Sequence, residues 1–276
     1  MNNKVIADFG KEWKKYNQNH GNSSFLKNEL KFFFSLYFKN FPWERLPKNA
    51  TGFDLGCGSG RWAEFVAPKV GKLICIDPAH EALEVAKKNL LHHTNCDFYN
   101  STVSDMPIDD NSMDFGYSLG VLHHIEDTDR GIVECARKLK KNAPFLIYLY
   151  YAFDNKPFYY KLIWKITNPF RQLISRLPFP IKLFVTKVIA SIVYLPLSRI
   201  AKLFNKFGFI VDNFPLSYYK DKSFYVMQTD SLDRFGTTLE KRFTKDQITK
   251  FLENAGISRI KFNDSAPYWC AIGFKD

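Results

Sequence analysis

At 276 residues the chain is long enough to bury a full core and longer than a minimal sheet domain, which predicts one domain with an insertion. A hydrophobic content of 46% and an aromatic content of 17% exclude general disorder. The five cysteines include no C-x-x-C pair, so buried reduced thiols are expected. The first residues are polar and lack the apolar core of a signal peptide, which predicts a cytoplasmic protein.

Residues 1–48 are predicted to form an N-terminal helical cap. Residues 4–20 are polar with isolated aromatic residues, as in a flexible leader. From Phe25 to Phe38, apolar residues recur at spacings of three and four, which predicts a helix, and Pro42 and Pro47 end it.

A glycine-rich turn organises the next part of the chain. Thr51–Leu55 reads as a short strand, and Gly56, Gly58 and Gly60 follow it as a tight turn. Asp77 ends the next predicted strand, where a carboxylate accepts hydrogen bonds from ribose hydroxyls in a doubly wound sheet. The G-x-G-x-G spacing does not fit a dinucleotide fingerprint, and without a following Lys-Ser/Thr it does not fit a P-loop.

Asp54, directly before the turn, points to a cationic ligand, because a carboxylate there would repel a pyrophosphate. The run Asp54-Leu55-Gly56-Cys57-Gly58-Ser59-Gly60 resembles the first motif of the class I S-adenosylmethionine-dependent methyltransferases. The resemblance implies S-adenosylmethionine as cofactor, with Gly56 and Gly58 under its methionine part and Asp77 on its ribose. It also implies that the segment Phe9-Gly10-Lys11-Glu12-Trp13 closes over the cofactor, as an alternative to the flexible leader.

Three further stretches extend the predicted cofactor site. Pro78 opens the helix after Asp77. Residues 104–115 match a turn-rich segment of the same family, which implies that Thr102 and Val103 bind the adenine. Relatives carry an acid where this chain has Thr102, whose hydroxyl can still accept a hydrogen bond, and Asp105 is an alternative acceptor.

The strand predicted at Phe115–Leu119 leads to two adjacent histidines. Ser118 and Leu119, at its carboxyl end, are assigned to the cofactor site, since ligands bind beyond the carboxyl ends of such strands. His123 and His124 follow, and either could act as the general base that deprotonates an acceptor hydroxyl. The alternative is that both histidines pack at a strand-to-helix turn. They have no partner cluster with ligand spacing, so no metal site is predicted.

Residues 155–211 contain ten Lys or Arg and no Asp or Glu, interleaved with apolar and aromatic residues. The longest uncharged apolar run, residues 188–197, is about half of a membrane-spanning helix. Two or three short helices broken at Pro169, Pro178, Pro180 and Pro196 are predicted. Such a segment suits an ordinary helical lid, an anionic membrane surface or a lipid-like anionic substrate, and nucleic acid is disfavoured because of the apolar content.

After the insertion, Tyr219 is a candidate catalytic residue that could donate a hydrogen bond to the acceptor. Its alternative role is packing. Thr244-Lys245-Asp246-Gln247 reads as a capping box, and two strands follow at residues 257–263 and 268–274. The short loop between them predicts an antiparallel pair, which the resemblance also implies.

The predicted fold is therefore α/β, a doubly wound Rossmann-like sheet of seven strands with a reversed last strand and a helical insertion after strand 5. The methyltransferase domain is assigned to residues 49–150 and 235–276, and the basic aromatic lid to residues 151–234. We expect methyl transfer to oxygen, nitrogen or carbon of a small or lipid-linked acceptor. Alternatives are a non-catalytic cofactor-binding module that docks to a membrane or partner, and an RNA methyltransferase. A peripheral position at the inner membrane face is also expected.

Overall fold

A computed structural model describes residues 3–16 and 24–276. Asn17 and Gln18, at the end of the predicted leader, lie outside the described residues. Within them, seven strands form one sheet in the order β3-β2-β1-β4-β5-β7-β6. The strands are β1 (Thr51–Leu55), β2 (Lys72–Ile76), β3 (Cys96–Tyr99), β4 (Phe115–Leu119), β5 (Pro144–Tyr148), β6 (Ile257–Phe262) and β7 (Cys270–Lys275).

Ten α-helices lie in the same described residues. They are α1 (Asn3–Lys15), α2 (Ser24–Tyr37), α3 (Ala63–Val66), α4 (His80–Asn89), α5 (Thr128–Lys138), α6 (Phe158–Ser175), α7 (Phe179–Ile189), α8 (Leu195–Lys206), α9 (Phe224–Gly236) and α10 (Lys245–Asn254). The capping box that opens α10 is confirmed, with Thr244 and Gln247 exchanging side-chain to backbone hydrogen bonds.

The sheet has the predicted topology. β1 pairs with β2 and β4 in parallel, and β7 runs antiparallel to both β5 and β6. The strands are apolar because both faces of the sheet are covered, and β4 is buried at every position. On one face, Phe53 and Phe145 pack with Ile132 and Leu139 of the helix region that follows β4. The predicted fold class is confirmed.

The described residues divide into two compact units. Unit 1 comprises Met1–Ala152 with Lys241–Asp276, and unit 2 comprises Phe153–Glu240. The N-terminal helices belong to unit 1, and the division after the insertion falls six residues beyond the predicted boundary at residue 234.

Unit 2 contains α6 to α9, and the predicted breaks in its helices are partly wrong. Pro178 does separate α6 from α7, and Pro180 lies in the first turn of α7, where a missing N–H costs no hydrogen bond. Pro169, however, lies inside α6. Pro196 does not break the helix either. A π-helical segment, Ala190–Tyr194, joins α7 to α8 directly before it, and Pro196 lies in the first turn of α8.

As a result Phe179–Lys206 is one continuous helical stretch of 28 residues. By length and composition alone it is apolar enough to cross a membrane. This length is not evident from uncharged runs in the sequence, because basic residues such as Lys187 and Arg199 interrupt the stretch.

Candidate functional site

The glycine turn joins the carboxyl end of β1 to the short helix α3. Gly56, Gly58 and Gly60 all have positive φ angles, between 55° and 78°, which L-residues with a side chain rarely adopt. The N–H groups of Gly56 and Cys57 both donate to the carbonyl of Ile76, at 2.7 and 3.1 Å, and tie the turn to the end of β2. The turn is thus rigid and exposes backbone rather than side chains.

Asp77 binds this turn directly. One carboxylate oxygen accepts a hydrogen bond from the Gly58 N–H and the other from the Ala79 N–H, both at 2.8 Å. Burial raises the pKa of Asp77 to about 6, against the opposing effect of these two hydrogen bonds. Each oxygen keeps a lone pair, so the carboxylate can brace the turn and still accept from a ribose.

Asp54 is the second buried acid of the site. Its carboxylate accepts a hydrogen bond from the Tyr117 hydroxyl at 2.9 Å. Burial is the main cause that raises the pKa of Asp54 to about 7, and the nearby Asp77 carboxylate raises it further. The Tyr117 hydrogen bond and the Arg61 charge act in the opposite direction. A cationic ligand would therefore favour the charged form of a carboxylate that is otherwise half protonated near neutral pH.

Helix α1 covers the glycine turn. A Cβ atom on Gly58 would lie 3.0 Å from the Trp13 indole, so the two are in contact. The Arg61 guanidinium lies over the rings of both Trp13 and Trp62, at 5.1 and 4.4 Å from their centroids. The aromatic residues of the N-terminal segment therefore lie at the predicted cofactor site, as the closing-segment interpretation expects.

The other predicted cofactor residues lie around the same sheet edge. Pro78 is half-buried directly after Asp77, and Leu119 is buried at the end of β4. The Thr102 hydroxyl donates to Asp105 at 2.8 Å, so both candidate adenine acceptors belong to one pair, and half-buried Val103 follows.

Two residues of the predicted set have a structural role that the sequence did not reveal. The Ser118 hydroxyl donates to the Leu55 carbonyl at 3.1 Å and links β4 to β1. A Cβ on Gly60 would lie 2.8 Å from the Leu90 side chain, so this glycine permits close packing of the turn against the region after α4.

His123 and His124 are both buried in a short helical turn after β4. The His123 ring stacks on Tyr150 with centroids 3.9 Å apart, and Phe9 of α1 contacts His124 at 5.0 Å. Neither ring nitrogen of His123 has a hydrogen-bond partner among the described residues. Burial, then His124 and Arg242, hold the pKa of His123 well below its ordinary value. It is therefore a neutral imidazole with free polar atoms.

Tyr219 lies in unit 2. Its hydroxyl donates to Asp230 at 2.9 Å, and its ring contacts Tyr194 at 5.1 Å. Burial and then Asp230 raise the pKa of Tyr219 well above its ordinary value. The hydroxyl is thus engaged inside unit 2, and its catalytic assignment stays a prediction.

A separate cluster of metal-ligating side chains lies in unit 1, where the sequence analysis assigned none. The Glu64 carboxylate lies 3.1 Å from His92 Nε2 and 3.2 Å from His93 Nε2. The three donors lie within 4.8 Å of one another, close enough to ligate one ion.

Residues 53–147 match the family model described as a methyltransferase domain. The uncharacterized methyltransferase YcgJ of Bacillus subtilis is 32% identical over 101 residues, which is 36% of this chain and 40% of that protein. A putative methyltransferase from Bacillus halodurans has the same fold, with a TM-score of 0.51, 16% identity, and coverage of 82% of this chain and 71% of that one.

A further similar structure is a phosphoethanolamine N-methyltransferase of Haemonchus contortus in complex with phosphoethanolamine and S-adenosylhomocysteine. It covers 53% of this chain and 33% of its own, with 18% identity and a TM-score of 0.42.

Residues 53–147 are therefore similar to a methyltransferase domain, and the sheet has the topology that the sequence resemblance implied. The match supports the expected enzyme class. The chain spans only 40% of the length of the curated relative that it matches.

Proposed function

We propose that the protein transfers the methyl group of S-adenosylmethionine to an oxygen, nitrogen or carbon atom of a small or lipid-linked acceptor. The observation that carries this proposal is the pair of buried acids, Asp54 and Asp77, against a rigid glycine turn. In their ionised form these two carboxylates attract a cationic ligand and repel a phosphate. Because the glycines have no side chains, a ligand can approach the backbone of this turn closely.

When bound, the cofactor would supply an electrophilic methyl group on a sulfonium, whose carbon would accept the acceptor's electron pair as the C–S bond electrons return to sulfur. The protein's own contribution is then alignment and the removal of one proton where the acceptor is a hydroxyl or amine. Asp77 braces the turn through the Gly58 and Ala79 N–H groups and would hold the ribose with its remaining lone pairs. Trp13 covers the turn and excludes water from it.

His123 is the candidate for the proton transfer. Its ring is neutral, stacked on Tyr150 and free at both nitrogens among the described residues, so one nitrogen can accept a proton while the ring stays in place. Burial lowers its pKa, which weakens it as a base but keeps it unprotonated and ready over the whole neutral range.

The test is a methyl-transfer assay with cofactor that carries an isotopically labelled methyl group. Aqueous, lipid and polysaccharide extracts would be supplied as acceptors, and mass spectrometry would locate the labelled product. The proposal expects label in a small-molecule or lipid fraction, absent with Asp77→Ala and present with Asp97→Ala, an acid that is paired with Lys72 on the neighbouring strand. Label confined to RNA, or cofactor binding without turnover on any fraction, would contradict it.

A further inference from the structure

Unit 2 has an unusual distribution of exposed apolar side chains. Eighteen of the large apolar residues exposed among the described residues lie between residues 158 and 218, and only four lie in the rest. A water-exposed helix bundle normally shows the opposite arrangement, with a polar outer face and an apolar interior. Contiguous exposed apolar surface of this kind marks an interaction site.

Helix α6 is inverted in this sense. Its exposed apolar stripe consists of Phe158, Leu162, Ile166, Phe170 and Leu173, spaced by three or four residues. At about 100° per residue, the buried Arg171 lies on the opposite side of the helix. The Arg171 guanidinium donates to the Thr237 carbonyl at 2.7 Å within unit 2. The helix thus buries Arg171 within unit 2 and turns its apolar stripe outward, while Lys161 and Lys165 stay exposed.

Helices α7 and α8 repeat the pattern. On α7, Ile181, Phe184 and Val188 are exposed, whereas Lys182 and Thr186 on the other side are 1% and 0% exposed. The Thr186 carbonyl accepts from Ser231 of α9 at 3.0 Å, so the polar side packs inside the unit.

On α8, the exposed residues include Ile200 and Leu203, and the buried ones are Ser198 and Ala201. Three successive helices therefore present apolar exteriors around a partly polar interior.

The most exposed apolar residues follow α8 directly. Helix α8 ends at Lys206; Gly208, just beyond it, has a φ of 84°, and the Phe209 N–H donates to the Phe204 carbonyl at 3.1 Å. Phe207, Phe209 and Ile210 project from this turn with 70%, 64% and 92% of their surface exposed. A fixed turn that holds three large apolar side chains in solvent forms a pre-organised apolar tip, which we define as residues 207–210.

The positive charge of residues 155–211 indicates which kind of partner suits the exposed apolar stripes. Residues 155–211 contain ten cations and no acid, and Lys161, Lys165, Lys187, Lys202 and Lys206 are among the exposed ones. They lie beside the apolar stripes along the length of the helices, rather than at the helix ends alone. Long basic side chains that flank an apolar stripe contact lipid phosphates while the stripe enters the acyl region.

We propose that unit 2 docks on an anionic lipid bilayer, with the apolar tip and the outer stripes of α6, α7 and α8 inserted into the interfacial region. Each exposed cation then adds attraction to the negative surface. Flanking cations along the helices favour a helix that lies in the bilayer surface over one that spans it, because a spanning helix would carry these charges through the hydrocarbon core. Nucleic acid would leave the apolar stripes in water.

Vesicle flotation tests the proposal without any methyl-transfer readout, so its failure is separate from failure of the proposed function. The full chain would be floated with vesicles of phosphatidylcholine alone and of phosphatidylcholine with phosphatidylglycerol. Wild-type protein should float with the anionic vesicles and dissociate in alkaline carbonate, as a surface-bound protein does. The triple variant F207S/F209S/I210S should partition at least about tenfold more weakly.

Two controls make the result specific. The triple variant F32S/L91S/V133S removes exposed apolar side chains of unit 1 and should float like wild type. The variant K161E/K165E should float less with the anionic vesicles than wild type does and should behave like wild type with phosphatidylcholine alone. The proposal would be overturned if wild-type protein stayed unbound or if the F207S/F209S/I210S variant bound like wild type. It would also be overturned if wild-type protein bound no vesicles and instead formed a stable dimer in solution that this variant lost.

Discussion

Replacement of Asp77 by alanine separates cofactor binding from folding. In the wild-type protein this carboxylate accepts from the Gly58 and Ala79 N–H groups and is assigned to the ribose. Loss of a charged acceptor for the ribose weakens binding by about 1.5 to 3 kcal/mol, which is about 10- to 150-fold in the dissociation constant.

Two opposing effects act on the stability of the Asp77→Ala variant. Two backbone N–H groups lose their acceptor, at a cost of about 1 to 3 kcal/mol each. Against this, burial raises the pKa of Asp77 from 3.8 to about 6, so the ionised carboxylate is disfavoured in the folded protein. Removal of the acid relieves that penalty, so the variant should lose less stability than the two hydrogen bonds alone would cost.

The assay is calorimetric titration with S-adenosylhomocysteine, accompanied by thermal unfolding followed by circular dichroism. Asp97→Ala is the matched control, because this acid lies on β3 and pairs with Lys72 at the surface. A folded Asp77→Ala variant with the wild-type dissociation constant would refute the ribose assignment.

Four further predictions concern the same site. Cofactor affinity should rise from pH 5 to pH 8, because burial raises the pKa of Asp54 to about 7 and the ionised carboxylate favours a cation. The free energy of unfolding should fall over the same range, since the folded protein binds more protons than the unfolded chain between about pH 4 and pH 7. Calorimetric titration at several pH values checks the affinity and chemical denaturation checks the stability; a flat profile in either would contradict the burial argument. His123→Ala should lower turnover about 100-fold or more with unchanged cofactor affinity. The His124→Ala variant, assayed beside it, shows whether the neighbouring histidine contributes. If both variants were fully active, neither histidine would be a general base. Trp13→Ala should raise the cofactor dissociation rate about tenfold in stopped-flow fluorescence, and an unchanged rate would show that α1 does not cover the bound cofactor.

The sheet and the glycine turn could be predicted because they depend on local rules. Three glycines at positive φ and an acid after β2 leave a recognisable spacing, and the apolar strands alternate with helical periodicity. Secondary-structure bounds moved by a few residues, as at β7, which spans Cys270–Lys275 where a strand at residues 268–274 was predicted.

The bonds that tune the site could not be predicted from sequence. Tyr117 and Asp54 are 63 residues apart, and only the parallel pairing of β1 with β4 brings them together. The same holds for Ser118, whose hydroxyl donates to the Leu55 carbonyl and links β4 to β1. The outward orientation of the apolar stripes in unit 2 could not be predicted either. A helical period shows which residues share a face of a helix, but not which face is exposed.

The π-helical segment Ala190–Tyr194 has a consequence for the phase of the long helix around it. In a regular α-helix, Leu203 would be rotated by about 100° from Phe184 about the axis. The wider π turn contains about one additional residue, which rotates the second half back by nearly the same angle. One apolar stripe therefore runs along the outer side of the helical stretch Phe179–Lys206. Deletion of one residue from the π-helical segment would rotate the part of the stripe on α8 towards the interior of unit 2.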